Sequence, residues 1–365
     1  MRTAKKKKQP PPRDRQGAPT ISDVARAAGV STMTVSRVIN RTGNVKEQTL
    51  AAVDAAIAKL NYAPNPAARS LAGAQQIRVG LLYSNPSAAY LSELLVGAVE
   101  EASRCHAQLF IEKCPPGGGG LAVARQLVAE GVDGLLLPPP MCDSQALINY
   151  LAKVRTPCVV IASGVPSKNA SSVGIDDFTA AQAMTTHLLD LGHTRIGFIC
   201  GNPDQSASAR RQQGYEAALR ARGIKPAPEL VEPGLFTYRS GLDAAEKLLR
   251  LPTPPSAIFA SNDDMAAATV AVAHSQGLAV PSDLTVCGFD DTLMATTIWP
   301  ELTTVRQPID QMSRAALAML VHAVKARRSG QPVPLRNETM DYALVRRHSD
   351  AAPRRRPPAA QLRQA

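Results

Sequence analysis

The chain has 365 residues, of which 45% are hydrophobic, and a formal net charge of +11. This length suits two or three domains. The sequence contains no run of about 18 apolar residues that would cross a membrane, and no apolar run after the basic start that would act as a secretory signal. We therefore expect a cytoplasmic protein. The six cysteines form no CxxC pair and have no zinc-ligand spacing with histidine, so we expect no metal and no cofactor.

The positive charge is concentrated at the two ends of the chain. Residues 1–76 hold 13 basic and 4 acidic residues, and residues 351–365 add four arginines. Residues 77–350 hold 24 basic and 26 acidic residues. We expect disordered basic segments at 1–18 and 348–365, and the uneven charge is typical of a nucleic-acid-binding end attached to a neutral body.

Residues 19–63 predict a three-helix DNA-binding domain. Thr20 suits the N-cap of a first helix that ends at Gly29, and Ser31 suits the N-cap of a second helix over 32–39. A third helix over about 47–61 would cover the other two. Two short helices joined by such a tight turn indicate a helix-turn-helix, although a three-helix scaffold without a DNA role has the same pattern.

In a helix-turn-helix the second helix enters the major groove. Thr32 and Met33 would then meet base edges, the forked guanidinium of Arg37 would suit guanine, and the hydroxyls of Ser31 and Thr34 would suit phosphates. The full set of predicted DNA-contact residues in this domain is Thr20, Ser31, Thr32, Met33, Thr34, Ser36, Arg37, Asn40 and Asn44.

Residues 64–76 predict a short hinge helix and linker. Asn65 suits an N-cap, Pro66 suits the first helical position, and Gly73 ends the segment. A helix of about two turns is marginal alone, so we expect it to form only against a partner surface. Leu71 is a candidate wedge for a minor-groove base step with Arg69 beside it, and a plain interdomain linker is the alternative.

From residue 77 onward, strands alternate with helices. The predicted strands are 77–83, 107–112, 132–137, 158–162, 196–200, 230–232, 257–260 and 285–289. The predicted helices are 91–105, 121–130, 179–191, 209–222, 238–249, 264–276 and 309–328. This order favours α/β architecture with parallel sheets flanked by helices. We expect one domain over 77–347 with two lobes, 77–176 plus 307–347, and 177–306.

Polar side chains follow several of these strands, where open α/β sheets bind ligands. The candidates chosen by this rule are Ser84, Ser208, Arg211, Asn262 and Asp290. A carboxylate, an amide and a guanidinium in one cleft suit sugar hydroxyls, which both donate and accept hydrogen bonds. The alternatives are structural: a turn or helix cap for Asp290, a helix cap for Asn262, and a surface ion pair for Arg211.

A series of motifs resembles the lactose-repressor/galactose-repressor (LacI/GalR) family of bacterial transcription regulators. The motifs are TISDVA at 20–25, GVS at 29–31, TVSRVIN at 34–40, LNYAPN at 60–65, ARSLAG at 68–73, GVDGL at 131–135, LGHTRIG at 191–197, SNDDMA at 261–266, GFDD at 288–291 and LTTVRQP at 302–308. The resemblance covers about residues 19–347 in family order.

The resemblance implies a function and a set of site residues. It implies a periplasmic-binding-protein-like effector module, a homodimer on a near-palindromic double-stranded DNA operator, and a repressor released by a sugar. It also implies sugar contacts at Arg211, Asn262, Asp290 and Gln307, a wedge role for Leu71, and an aromatic stacking residue near Phe236, for which simple packing is the alternative. Trp299, the only tryptophan, would lie near the dimer interface.

Some features depart from the family or leave alternatives open. Lys46 stands where the family has a Ser or Thr helix cap, and Ile161 and Ala162 are apolar where several members have an acidic residue. A corepressor mode with a purine-like ligand is the alternative within the family. A transport receptor would need a signal peptide and no DNA-binding end, and an enzyme would need a catalytic constellation that the six histidines do not form.

Overall fold

The computed structural model describes residues 19–40, 45–62, 76–115 and 119–354. The chain divides into two compact units, residues 1–76 and 77–365. The first is helical in its described part, and the second holds two sheets with flanking helices. This confirms the predicted fold class. The predicted extension at 1–18 and the hinge helix lie outside the described residues, as does the tail from residue 355.

The first unit contains three short helices around a small apolar core. They are α1 (Ile21–Ala28), α2 (Thr32–Asn40) and α3 (Glu47–Leu60). Val24, Val35 and Val53, one from each helix, are completely buried. Ala56 of α3 also packs in this core, whereas Leu50 of the same helix is 42% exposed.

The turn between α1 and α2 is fixed by local contacts. The Thr20 backbone N–H and hydroxyl both donate to the Asp23 carboxylate, which holds the start of α1. Gly29 ends α1 with a left-handed φ of 67°, a conformation that favours glycine. The Ser31 hydroxyl then accepts a hydrogen bond from the Thr34 backbone N–H, 3.1 Å away, and caps α2.

The second unit has two lobes. In the first lobe the elements are β1 (Arg78–Tyr83), α4 (Ala88–Arg104), β2 (Gln108–Lys113), α5 (Gly120–Ala129), β3 (Gly134–Leu137), α6 (Gln145–Lys153), β4 (Cys158–Ile161), β5 (Ser171–Gly174), α12 (Ile309–Arg328) and β11 (Asn337–Thr339). In the second lobe they are α7 (Asp177–Asp190), β6 (Ile196–Ile199), α8 (Ser206–Ala221), β7 (Val231–Glu232), α9 (Tyr238–Leu249), β8 (Ala257–Ala260), α10 (Asp263–Ser275), β9 (Thr285–Asp290), α11 (Leu293–Thr297), β10 (Thr303–Arg306) and β12 (Ala343–Val345).

Each lobe is built on a six-stranded sheet. The first sheet has the order β11-β5-β4-β3-β1-β2 with all pairs parallel, and the second has the order β12-β10-β9-β8-β6-β7 with only β12 antiparallel. The central strands β3, β4, β6 and β8 are buried along their whole length, as expected for strands covered by helices on both faces. The chain passes between the lobes three times: after β5, after β10 and after β11.

The C-terminal boundary differs from the predicted one. The expected first lobe includes residues 307–347, but β12 within this range pairs with β10 and belongs to the second sheet. The disorder predicted from residue 348 is wrong for residues 348–354. Ser349 and Asp350 are buried, and the Asp350 carboxylate accepts hydrogen bonds from Thr303 and binds His187 of α7. These contacts fix the segment against the second lobe.

No helix in the described part of the chain is long and apolar enough to cross a membrane.

Candidate functional site

A small cavity lies between the two lobes, where the carboxyl ends of both sheets meet. Its lining residues are Asn85, Ser87, Tyr90, Pro139, Ala162, Gln205, Ala207, Arg211, Phe236, Asn262, Asp290 and Gln307. Most of them stand directly after a strand or at the start of the following helix. Parallel strands direct their carboxyl ends to one edge of a sheet, so two facing sheets bring these positions together.

Arg211 lies at the centre of the polar side of this inter-lobe cavity. The guanidinium is buried and donates from Nε to Asp177 Oδ1 at 2.7 Å and from Nη1 to the Ser261 carbonyl at 2.5 Å. Nη1 also lies 3.5 Å from Asp290 Oδ1, and the Phe289 ring stacks 3.6 Å below the guanidinium carbon. The alternative of a surface ion pair is therefore wrong for Arg211, which belongs to a buried network.

Asp290 is the cavity carboxylate at the end of β9. Gln307 Nε2 donates to its Oδ1 at 2.6 Å. Burial raises the pKa of Asp290 to about 7, although the Arg211 guanidinium and the Gln307 amide both favour the ionised form. Burial also raises the pKa of Asp264 at the start of α10. The cavity wall itself carries one carboxyl group, Asp290, beside one cation, Arg211.

The backbone is strained at three cavity positions. Ala162, Phe236 and Asp290 have φ values of 55°, 59° and 107°, although none of them is glycine. Such left-handed conformations cost about 1–3 kcal/mol each and persist only where the surroundings impose them. At Phe236 the surroundings are visible: the Asn262 amide donates to its carbonyl at 3.1 Å, and its ring fills the space where a side chain on Gly201 would lie.

Two polar atoms of the cavity wall have no hydrogen-bond partner among the described residues. They are the hydroxyl of Tyr90 and Oε1 of Gln307, both buried. A buried polar atom without a partner costs about 1–3 kcal/mol. A ligand that donates to Gln307 and exchanges a hydrogen bond with Tyr90 would recover this free energy.

The structure brings five of the seven predicted effector residues together and leaves two outside. Arg211, Phe236, Asn262, Asp290 and Gln307 line the cavity. Ser84 does not, because the chain continues past the end of β1 and Ser87, the cap of α4, reaches the cavity instead. Ser208 does not line the cavity either, because its neighbour Ala207 lies on the face of α8 that borders the cavity.

Sequence reasoning missed other residues of the site. Tyr90 and Gln205 line the cavity, and the Asp177 carboxylate accepts a hydrogen bond from Arg211. Tyr90 lies inside a helix rather than after a strand, so the strand-end rule does not select it. The pairing of Asp177 with Arg211 joins positions 34 residues apart, and no local pattern marks it.

Hydrogen bonds across the cavity mouth hold the lobes together. On one side the Ser206 backbone N–H and hydroxyl, from the second lobe, donate to Asp143 of the first lobe at 3.0 and 2.6 Å. On the other side the Ser87 hydroxyl donates to Asp264 at 2.5 Å. The cavity has a volume of about 30 Å³, room for one or two water molecules. A ligand larger than two water molecules therefore needs the lobes to move apart.

A larger hollow of about 590 Å³ lies elsewhere, between α12 and β11 of the first lobe. Ala315, Ala318, Met319 and His322 line one side, and Arg336 at the amino end of β11 lines the other. It lies away from the strand carboxyl ends that meet between the lobes, so the inter-lobe cavity is the better candidate for a ligand site.

The pKa of Asp290 predicts a pH effect on stability. Because the folded chain binds this proton more tightly than the unfolded chain, the group favours folding at low pH and loses that contribution as pH rises from about 4 to about 7. Asn at 290 does not titrate. We expect Asp290→Asn to gain stability relative to the parent over this range by at least about 1.4 kcal/mol, the equivalent of one pKa unit.

Urea denaturation of both proteins at pH 4.5, 6.0 and 7.5 measures this difference. A difference that stays constant across the three pH values would show that folding does not perturb the Asp290 proton.

The exposed face of α2 presents the predicted DNA contacts. Ser31, Thr32, Met33 and Arg37 are exposed, and Thr34 is half-buried. Ser36 is half-buried on the same helix, and Thr20 is exposed at the start of α1. Asn44, Arg69 and Leu71 lie outside the described residues, as does the side chain of Asn40, the last residue of α2.

Comparisons with known proteins match both units. Residues 20–65 match the family model "Bacterial regulatory proteins, lacI family", and residues 185–349 match a periplasmic binding protein-like domain. The chain is 35% identical over 311 residues to the ribose operon repressor of Escherichia coli (strain K12), covering 84% of this chain and 93% of that protein.

Two further relatives agree. The HTH-type transcriptional repressor PurR of Haemophilus influenzae (strain PittEE) is 32% identical over 316 residues, covering 85% of this chain and 93% of that protein. A crystal structure of the lac repressor dimer bound to operator and the anti-inducer ONPF superposes with a TM-score of 0.75 at 27% identity, covering 92% of this chain and all of that one.

Proposed function

The chain belongs to the lacI family of bacterial regulatory proteins, and from this premise we propose that it represses carbohydrate-utilisation genes and releases its operator when a sugar binds between the lobes. The family is one of DNA-binding transcription regulators rather than enzymes, which agrees with the sequence motifs. The observation that carries the proposal is the inter-lobe cavity, with a buried Arg211–Asp290–Gln307 network on its wall.

The chemistry of the cavity favours a polyol ligand. Asp290 accepts hydrogen bonds, the Asn262 amide and the Tyr90 hydroxyl both donate and accept, and Gln307 Oε1 is a buried acceptor without a partner. The aromatic face of Phe236 adds an apolar wall suited to the C–H face of a sugar ring. The similarity to a ribose operon repressor supports this class of ligand.

We propose that two copies of α2 enter successive major grooves of a near-palindromic operator as parts of a homodimer. The lac repressor, which the chain resembles, was crystallised as a dimer bound to operator. In this proposal Ser31 and Thr34 contact phosphates, and Arg69 and Leu71 act in the minor groove.

Exposed apolar residues support a dimer. Val96 and Val99 are about half exposed on one face of α4, and Ile111 is exposed on β2. In the second lobe Leu293 and Trp299 are exposed by 71% and 75%. Contact with a second copy would bury both patches, including the tryptophan. A DNA-binding repressor works where the chromosome is, so we propose a cytoplasmic location.

A corepressor mode with a purine-like ligand is the second candidate, and the HTH-type transcriptional repressor PurR of Haemophilus influenzae is among the relatives. The two modes have opposite effects on the affinity for the operator. An inducer weakens operator binding when it occupies the cavity, and a corepressor strengthens it.

Selection of duplexes from a random library, followed by fluorescence anisotropy with the selected duplex, tests both modes. Neutral sugars, phosphorylated sugars and purines are then added at fixed salt, because phosphate contacts make affinity depend on salt. We expect a neutral sugar to weaken operator binding about 5- to 150-fold, the range of a coupling free energy of about 1–3 kcal/mol. Asp290→Ala should bind the duplex and no longer respond.

Three outcomes would contradict the proposal. They are the selection of no duplex, a purine that strengthens binding while sugars have no effect, and a sugar response that is unchanged in Asp290→Ala.

A further inference from the structure

Met33 is an unusual side chain for the most exposed part of the DNA-binding unit. It is 64% exposed at the second position of α2, where a polar residue would be better hydrated. Arg37 lies one helical turn later on the same face, and its Nη2 is 3.8 Å from the Met33 sulfur. The two side chains therefore form one surface, with an apolar part beside a guanidinium.

The major groove offers different partners to these two groups. The fork of Arg37 suits guanine O6 and N7, the commonest specific contact in the groove. The thioether of Met33 has no hydrogen to donate and accepts hydrogen bonds only weakly. Among the groups that the four base pairs expose in the major groove, the thymine C5-methyl is the apolar one.

We propose that Met33 packs against the methyl group of a thymine in the base pair next to the guanine bound by Arg37. Each operator half-site would then contain a thymine, on either strand, adjacent to this guanine. The inference rests on the proposed function, since it requires α2 to lie in the major groove. It names the base that Met33 contacts, whereas the helix-turn-helix pattern predicts only that Met33 lies against the base edges.

Neighbouring side chains give a matched control. Thr32 is the other exposed residue at the start of α2, and it carries a methyl group of its own. If Thr32 were the residue that meets the thymine, Thr32→Ser would remove the contact and Met33→Ala would leave it. Both positions are exposed, so neither substitution disturbs the core of Val24, Val35 and Val53.

The experiment replaces that thymine by deoxyuridine in the selected duplex. This change removes one methyl group and keeps every hydrogen-bonding group of the base pair. Anisotropy titrations at fixed salt compare the two duplexes for the parent, Met33→Ala and Thr32→Ser. Loss of one buried methyl group corresponds to about a fourfold loss of affinity. We expect this loss for the parent and for Thr32→Ser, and no loss for Met33→Ala.

Several results would overturn the inference while leaving the proposed function intact. One is a selected duplex with no thymine next to the guanine whose recognition is lost in Arg37→Ala. Another is a deoxyuridine effect that is the same in Met33→Ala as in the parent, or one that disappears in Thr32→Ser. Selection of no duplex at all would overturn both proposals together.

Discussion

Arg211→Met is expected to lower the free energy of unfolding of the two-lobed unit by about 3–5 kcal/mol, the usual effect of removing one partner from a buried charge network. The guanidinium holds Asp177 at 2.7 Å and lies 3.5 Å from Asp290, and all three groups are buried. Without it, two buried carboxyl groups would remain without their cation. Methionine fills a similar volume, so the effect reports the lost charge and hydrogen bonds.

Arg210→Met is the matched control, since it changes the preceding residue of the same helix. The Arg210 side chain is 38% exposed and lies 4.0 Å from Asp176, whose side chain is 48% exposed. A surface pair of this kind contributes about 0–1 kcal/mol. Urea denaturation should therefore separate the two variants by at least about 2 kcal/mol. Equal midpoints would mean that solvent already screens the Arg211 network.

The double variant Arg211→Met with Asp177→Asn tests the cause of the loss. Replacing both Arg211 and Asp177 by neutral groups removes one of the two uncompensated carboxyl groups, so we expect the double variant to be more stable than Arg211→Met alone. Operator binding by the separate N-terminal unit should persist in all these variants, and the response to sugar should be absent in those that lack Arg211. An additive loss in the double variant would show that the two residues do not interact.

Strands and helices of the two-lobed unit were predictable because their sequence signals are local. The apolar runs at 134–137, 196–199 and 257–260 are long enough to identify buried strands. The rule that ligands bind at strand carboxyl ends then selected Asn262, Asp290 and Arg211 without knowledge of the contacts.

The rest of the fold depends on contacts between distant segments. The strands β5, β11 and β12 have three or four residues each, and short polar segments such as 337–339 carry no strand pattern. β11 pairs with β5 and β12 with β10, and in each pair the chain crosses to the other lobe and back between the two strands, which no local signal marks. The disorder predicted for residues 348–354 is wrong for a similar reason, since the burial of Asp350 depends on its contact with His187, 163 residues earlier.

Distant contacts also decide which strand-end residues reach the cavity. Ser84 and Ser87 follow the same strand, and both are short polar residues. Only Ser87 has Asp264 of the other lobe opposite it. The contact between Ser87 and Asp264 exists because the two sheets face each other. The sequence of neither lobe alone predicts this arrangement.

Asp143→Ala is expected to speed the association of the effector about tenfold. Asp143 accepts hydrogen bonds from the Ser206 N–H and hydroxyl across the lobes and from the Ser163 hydroxyl within its own lobe. Hydrogen bonds to a charged group are worth about 1.5–3 kcal/mol when formed. Since a cavity of about 30 Å³ does not admit a sugar, entry requires open lobes. A variant that opens more often therefore presents the binding-competent form more often.

Two measurements check this expectation. Stopped-flow mixing with the effector gives the association rate, and hydrogen exchange of the Ser206 amide reports how often its bond to Asp143 opens. Asp204→Ala, at an exposed position of the loop before α8, removes the same charge and should change neither. If Asp143→Ala also leaves both unchanged, then the contacts of Ser87 with Asp264 on the opposite side hold the lobes together, and the entry of a sugar is controlled there instead.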